Sequence, residues 1–145
     1  MKKRFFLIPV ILFFIDRIIK YIIPSINSGD DLLRFAIYKN SDGPFSLALQ
    51  SDALNILGVI LIIVFLGLFI KEYKKKNTII ALGFSFIFFG GLSNLFDRLF
   101  LGYVIDYIQF IQRSFFNIAD LMLITGVSLI ILNSLKNKNI KYEER

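Results

Sequence analysis

Four stretches of the chain are apolar with few interruptions: residues about 5–23, 54–70, 78–100 and 115–132. Each is close to the ~20 residues that carry an α-helix across the hydrocarbon core of a bilayer. The pattern predicts four transmembrane helices. A cleaved signal peptide is the rival reading of the first, because "MKKRFFLIPVILFFI" has a basic start and an apolar middle. No small-x-small site follows, and the apolar stretch continues past "DRIIK", so a retained helix is expected.

Between these runs lie two segments of mixed character, 24–53 and 101–114. In the first, "RFAIYKN" reads as a strand and "NSDGP" as turn chemistry, with partial alternation in "FSLAL". A small strand-turn-strand element on the membrane surface is expected there. In the second, "GYVIDYIQF" sets Asp106 among Tyr103, Val104, Ile105, Tyr107, Ile108 and Phe110. That pattern predicts a short interfacial segment dipping into the headgroups, with Asp106 capping or pinning it. The expected fold is a single all-α integral membrane domain over 1–145. It carries a small extracytoplasmic strand/turn element and an interfacial segment. No long repeat, heptad run or low-complexity tract interrupts it.

Charge orients the helices. "MKKR" precedes the first run, "KEYKKK" joins the second and third, and "KNKNIKYEER" ends the chain. Positive residues favour the cytoplasmic side, so both termini are expected inside, with 24–53 and 101–114 outside. The 145-residue chain is 56% hydrophobic, with 17 Phe and only 19% charged residues. A soluble domain of this size cannot hide so much apolar surface. The net charge of +6 alone would suit nucleic acid. Because the basic residues cluster at segment ends, topology accounts for them, and membrane lipids rather than nucleic acid are the expected contacts. With no Cys and no His, disulfides, thiol chemistry, Ser-His and Cys-His catalysis and the usual zinc sites are excluded.

Several polar residues interrupt the apolar runs. Asn94 and Asp97 are three apart near the end of the third; Asn117 and Asp120 are three apart in the fourth. Residues three apart share a helix face. The third helix runs outward and the fourth inward, so Asp97 and Asp120 are expected in the same outer portion of the membrane, Asp120 about 8 Å below the surface at 1.5 Å per residue. Two neighbouring carboxylates share a proton. One then serves as base toward water while the other donates to a carbonyl oxygen, which is aspartyl peptide hydrolysis. The competing readings are an interfacial Asp97–Arg98 ion pair, a proton or ion pathway, and Asn side chains that only join helices. Asp16 and Lys20, four apart with Arg17 beside them, form either a helix-end ion pair or part of the same site. Gly90 and Gly91 are expected to permit close helix packing.

Together, "DRIIK", "NSDGPFS", "GGLSNLFDR", "GYVID" and "FNIAD" resemble bacterial lipoprotein signal peptidase, or signal peptidase II, over nearly the whole chain. The resemblance implies an intramembrane aspartyl endopeptidase of the bacterial cytoplasmic (inner) membrane. Such an enzyme removes the signal peptide of diacylglyceryl-modified prolipoproteins on the N-terminal side of the lipidated Cys, with its site toward the extracytoplasmic face. It implies Asp97 and Asp120 as catalytic acids, and Asp16, Lys20, Asn40, Phe45, Asn94, Arg98, Asp106 and Asn117 as supporting residues. It implies no cofactor or metal, and the antibiotic globomycin as an inhibitor. A monomer is expected. The chain departs from the family pattern at Asp42 and Pro44 of the outer loop and at Ser93, where Gly is usual. A small transporter using Asp16, Asp97 and Asp120 as relays, and a structural membrane protein, are the alternatives from other classes. No inverted repeat supports the former. The G-x-G-D string of another intramembrane aspartyl class is absent.

Overall fold

The computed structural model describes residues 3–22, 28–29, 33–41, 51–110 and 114–143. Among the described residues, four α-helices and a small sheet make up the fold. A single 3-10 turn, Lys3–Phe6, leads into α1, Leu7–Ile22. Strands β1, Ser28–Gly29, and β2, Leu33–Asn40, follow. Then come α2, Ser51–Lys74, and α3, Thr78–Leu101. Strands β3, Val104–Phe110, and β4, Ser114–Phe116, precede α4, Ile118–Glu143.

By length and composition, α2, α3 and α4 can each cross a membrane. Their outward faces remain apolar: Ile56, Ile60 and Ile63 of α2 and Ile124, Val127 and Ile131 of α4 are exposed. That much uncovered hydrocarbon is stable only against lipid or another protein surface. At 16 residues, α1 is shorter. It buries a single seam of Pro9, Asp16 and Lys20 and exposes Leu7, Ile11, Phe14 and Ile18.

α3 is the central helix and packs on α1, α2 and α4. Its tightest approach is to α4. A Cβ at Gly90 would meet the carbonyl oxygen of Ala119 at 2.6 Å, and one at Gly126 would meet that of Gly83 at 2.5 Å. Small residues let the backbones come this close, which favours association in a medium where apolar burial gives no drive. Gly91 instead faces Ile62 of α2. At the end of α3, Gly102 adopts φ 80° and its N–H bonds the Arg98 carbonyl at 3.1 Å. A side chain is strained in that region, so this glycine reverses the chain into β3.

The four strands form one antiparallel sheet in the order β1-β2-β3-β4. Within 101–114, where the sequence predicts a short interfacial segment, Val104–Phe110 is a strand, and it pairs with β2 on one side and β4 on the other, so strands from 24–53 and 101–114 share one sheet. The β-branched and aromatic residues of "VIDYIQF" suit a pleated, half-buried surface. A partner strand 64 or more residues away cannot be read from local pattern. The register sets Tyr38 opposite Asp106 and Asn40 opposite Val104. "RFAIYKN" is a strand, as its pattern predicts. The predicted turn, the "FSLAL" alternation and Phe45 fall outside the described residues.

Candidate active site

Where the sheet meets the helices, two polar centres lie side by side. The first is an ion cluster. On α1, the i, i+4 spacing points Asp16 and Lys20 inward together. Lys20 Nζ lies 3.0 Å from Asp16 Oδ2 and 2.8 Å from Asp97 Oδ2. Arg17 pairs with the other Asp97 oxygen, donates to the Ser93 carbonyl and stacks over Phe96. Asp97 also accepts the Ile105 N–H at 3.2 Å, and the Ser93 hydroxyl donates to Asp16 at 2.6 Å. Asp16, Lys20 and Asp97 are almost completely buried. Charges removed from water to this extent persist only when paired and fully hydrogen-bonded, and here they are.

The second centre contains the other two acids. Asn117 sits just before α4 and accepts the Asp120 N–H at 2.9 Å on its side-chain oxygen. In return, Asp120 Oδ2 accepts the Asn117 N–H at 3.1 Å. This is a reciprocal capping box, with the carboxylate at the positive end of the helix dipole. The Asn117 amide nitrogen then reaches away from the helix and donates to Asp106 Oδ1 at 2.7 Å. It also lies within bonding distance of Asn94 Oδ1 and the Ile105 carbonyl. A single asparagine therefore bonds both acids.

Two further amides complete the setting. Asn94 donates to Asp120 Oδ1 at 2.8 Å, and Lys20 donates to Asn94 Oδ1 at 3.0 Å. The lysine fixes which way that amide faces. Asn40, at the end of β2, donates to Asp106 Oδ2 at 2.9 Å. Burial pushes the Asp106 carboxyl up to about 6 and the Asp120 charge adds to the rise, while Asn40, Asn117 and Lys20 pull against it. Next to it on β3, Tyr107 is fully buried. Burial, with the Asp16 charge adding, holds its phenol far above the ordinary range, so it stays an O–H donor.

A cavity of about 510 Å³ opens beside the second centre. Asn40, Asn94, Arg98, Asp106 and Asp120 line its polar end, and Leu57, Leu61, Phe65, Ile87 and Leu123 line its apolar reach between α2, α3 and α4. Asp97 is not among its lining residues. The structure brings together Asp120, Asp106, Asn94, Asn117, Asn40 and Arg98 and puts Asp16, Lys20 and Asp97 in the ion cluster behind them. The two N-x-x-D spacings predict Asp97 beside Asp120; the structure sets Asp97 against Arg17 and Lys20, and links Asp120 to Asp106 through Asn117. The helical echo was real, but Asp97 turns toward the cations of α1. In the sequence Asp106 reads only as support; its signal is a lone acid at alternate spacing with Val104 and Ile108 in a β-branched strand. Among the described residues, no group of three or more Asp or Glu side chains is arranged to hold a metal ion.

The chain has relatives. A model of the family described as signal peptidase (SPase) II matches residues 8–136. The chain is 32% identical over 145 residues to a lipoprotein signal peptidase of Fusobacterium nucleatum, covering 91% of this chain and 88% of that one. A 79-residue stretch is 37% identical to a lipoprotein signal peptidase of Alteromonas mediterranea, covering 52% and 43% of the two chains. A solved structure described as a bacterial membrane enzyme at 2.3 Å superimposes with a TM-score of 0.82 at 28% identity, over 97% of this chain and 93% of the other. With a matching family model over most of its length, a near full-length relative and a shared fold, the chain belongs to the signal peptidase II family.

Proposed function

We propose that this protein is an aspartyl endopeptidase that cleaves diacylglyceryl-modified prolipoproteins on the N-terminal side of the lipidated Cys, with Asp106 and Asp120 as its catalytic acids. Signal-peptide removal from lipoproteins accords with the family. One observation carries the mechanistic part: Asn117 bonds both carboxyls, and both line the same cavity. With its raised proton affinity, Asp106 is the acid that keeps the shared proton and gives it to the scissile carbonyl oxygen. Asp120, with two N–H donors and a helix N-terminus behind it, is the base that activates water. Arg98 and Asn40 at the polar mouth are placed to meet the peptide backbone. The apolar reach suits a hydrophobic signal segment or acyl chain.

The helical runs and their basic flanks support four spans with both termini cytoplasmic, in a bacterial inner membrane, and with the sheet and acids on the outer side. Globomycin is the expected inhibitor. The test is a gel-shift assay on a diacylglyceryl prolipoprotein with purified enzyme, with and without globomycin. Asp106→Asn and Asp120→Asn each reduce cleavage by at least about 10³-fold, of the size typical for a lost catalytic group. Asp97→Asn retains measurable cleavage in the fraction that folds. Full turnover by the Asp106→Asn enzyme would refute the pair.

A further inference from the structure

Lys20 joins the ion cluster to Asp120 through Asn94, and a second side chain joins the cluster to the start of α4. Tyr107 follows Asp106 on β3 and is fully buried. Its hydroxyl donates to Asp16 Oδ1 at 2.8 Å and accepts the Ile118 N–H at 3.1 Å. Ile118 is the first residue of α4, two before Asp120. Asp16 Oδ1 also lies 3.4 Å from the Ala119 N–H, on the same turn. The first N–H groups of a helix have no partner within it. Here two of them are satisfied by a tyrosine from the strand that carries one acid and by an aspartate from α1.

We infer that Tyr107 is a positioning residue for the reaction: its hydroxyl clamps the start of α4 to β3 and α1, and so fixes how Asp120 stands relative to Asp106. The strand alone does not set this spacing, because β4 lies between β3 and α4 in the chain. The Asn117 bonds set the near side of the junction, and the Tyr107 hydroxyl sets the far side. A phenol serves this role well: it donates and accepts at once, through a rigid ring with only two side-chain torsions. It touches no reacting atom and does not line the cavity.

Loss of the hydroxyl releases α4 without adding or removing charge. Misplacement of a catalytic group by a fraction of an ångström to an ångström costs one to two orders of magnitude in rate while leaving substrate binding intact. Two coupled carboxyls titrate as a pair, and the separation of their two steps follows their proximity. The charged groups facing the pair are Asp16 and Lys20 on α1, Asp97 and Arg98 on α3, and Arg17 behind Asp97. None of them changes identity in the experiment.

The inference rests on the Asp106–Asp120 reading, and the two fail separately. Purified Tyr107→Phe and Ile118→Pro enzymes are assayed on the lipidated precursor from pH 4.5 to 9, beside Asp106→Asn and Asp120→Asn. Ile118→Pro removes the N–H that reaches Tyr107 but keeps the phenol, and the first helical position tolerates proline; it serves if Tyr107→Phe does not fold. Either variant is expected to lose about tenfold or more in kcat at a KM within about twofold of wild type, and to narrow the bell-shaped pH profile. Wild-type kcat and an unmoved profile in the folded variants, with both Asp→Asn enzymes inactive, overturn the positioning role and leave the pair standing. A fall in melting temperature alone, with kcat and profile unchanged, makes Tyr107 a packing residue and overturns it equally. Full activity of Asp106→Asn overturns the pair itself, whatever Tyr107 does.

Discussion

Among single residues, Asp97 and Asp106 are both almost completely shielded from water, yet their settings are opposite. Asp97 faces two cations, Arg17 and Lys20; Asp106 faces two amides, Asn40 and Asn117. Burial among neutral donors leaves the Asp106 carboxyl able to take a proton near neutrality. Asp97→Asn strands Lys20 and Arg17 short of a counter-charge, and should cost about 3–5 kcal/mol, the usual penalty for breaking a buried pair. Thermal unfolding in detergent measures it. Asp106 gives the opposite stability result. Its carboxyl is raised to about 6 when folded, against 3.8 for the ordinary group. Its contribution is therefore fully present below about pH 4 and lost as pH rises through 6. Asp106→Asn should raise the melting temperature relative to wild type at pH 8 but not at pH 4, while abolishing cleavage. An equal effect at both pH values would contradict the assigned environment.

At the level of elements, the α3–α4 seam governs where Asp120 stands. Gly90 lies against the carbonyl of Ala119, the residue just before Asp120. Gly90→Ala would force that backbone away, with a destabilisation of about 1–3 kcal/mol as for other overpacked contacts and a loss of cleavage beyond what stability explains. Gly67→Ala, with nothing within 4 Å of the added methyl, is the control and should be neutral in both. A seam built from Gly83, Gly90 and Gly126 is partly legible in sequence, since "GG" within an apolar run signals close packing. Which glycine meets which helix is not: Gly90 faces α4 and Gly91 faces α2 only because successive helical residues point about 100° apart. The β2–β3 pairing was out of reach for a stronger reason. Each strand looks locally like a surface segment, and only their pairing across the α2–α3 hairpin shows that they belong to one sheet.

The molecule as a whole is a helical bundle capped at one end by a sheet, with the acids at the junction. The proposed orientation is testable because the chain lacks cysteine. Single Lys75→Cys and Ser114→Cys variants, at exposed sites beyond opposite ends of the helices, should label differently with an impermeant maleimide. Ser114→Cys reacts in intact spheroplasts and Lys75→Cys only after lysis; the reverse pattern would invert the topology.

The sequence by itself determined the membrane class, the helical runs and the family, because apolar length, basic flanks and spaced N-x-x-D strings are local properties. It also determined that any hydrolytic chemistry here runs without thiol or imidazole. The partner proposed for Asp120 comes only from the tertiary structure. Helical spacing places Asp97 on the same face as Asn94, near the end of α3. Its direction depends on Arg17 and Lys20 of α1, and the choice of Asp106 depends on a strand paired with one far away in the chain. Long-range electrostatics and sheet register are properties of the folded packing, and no local window contains them.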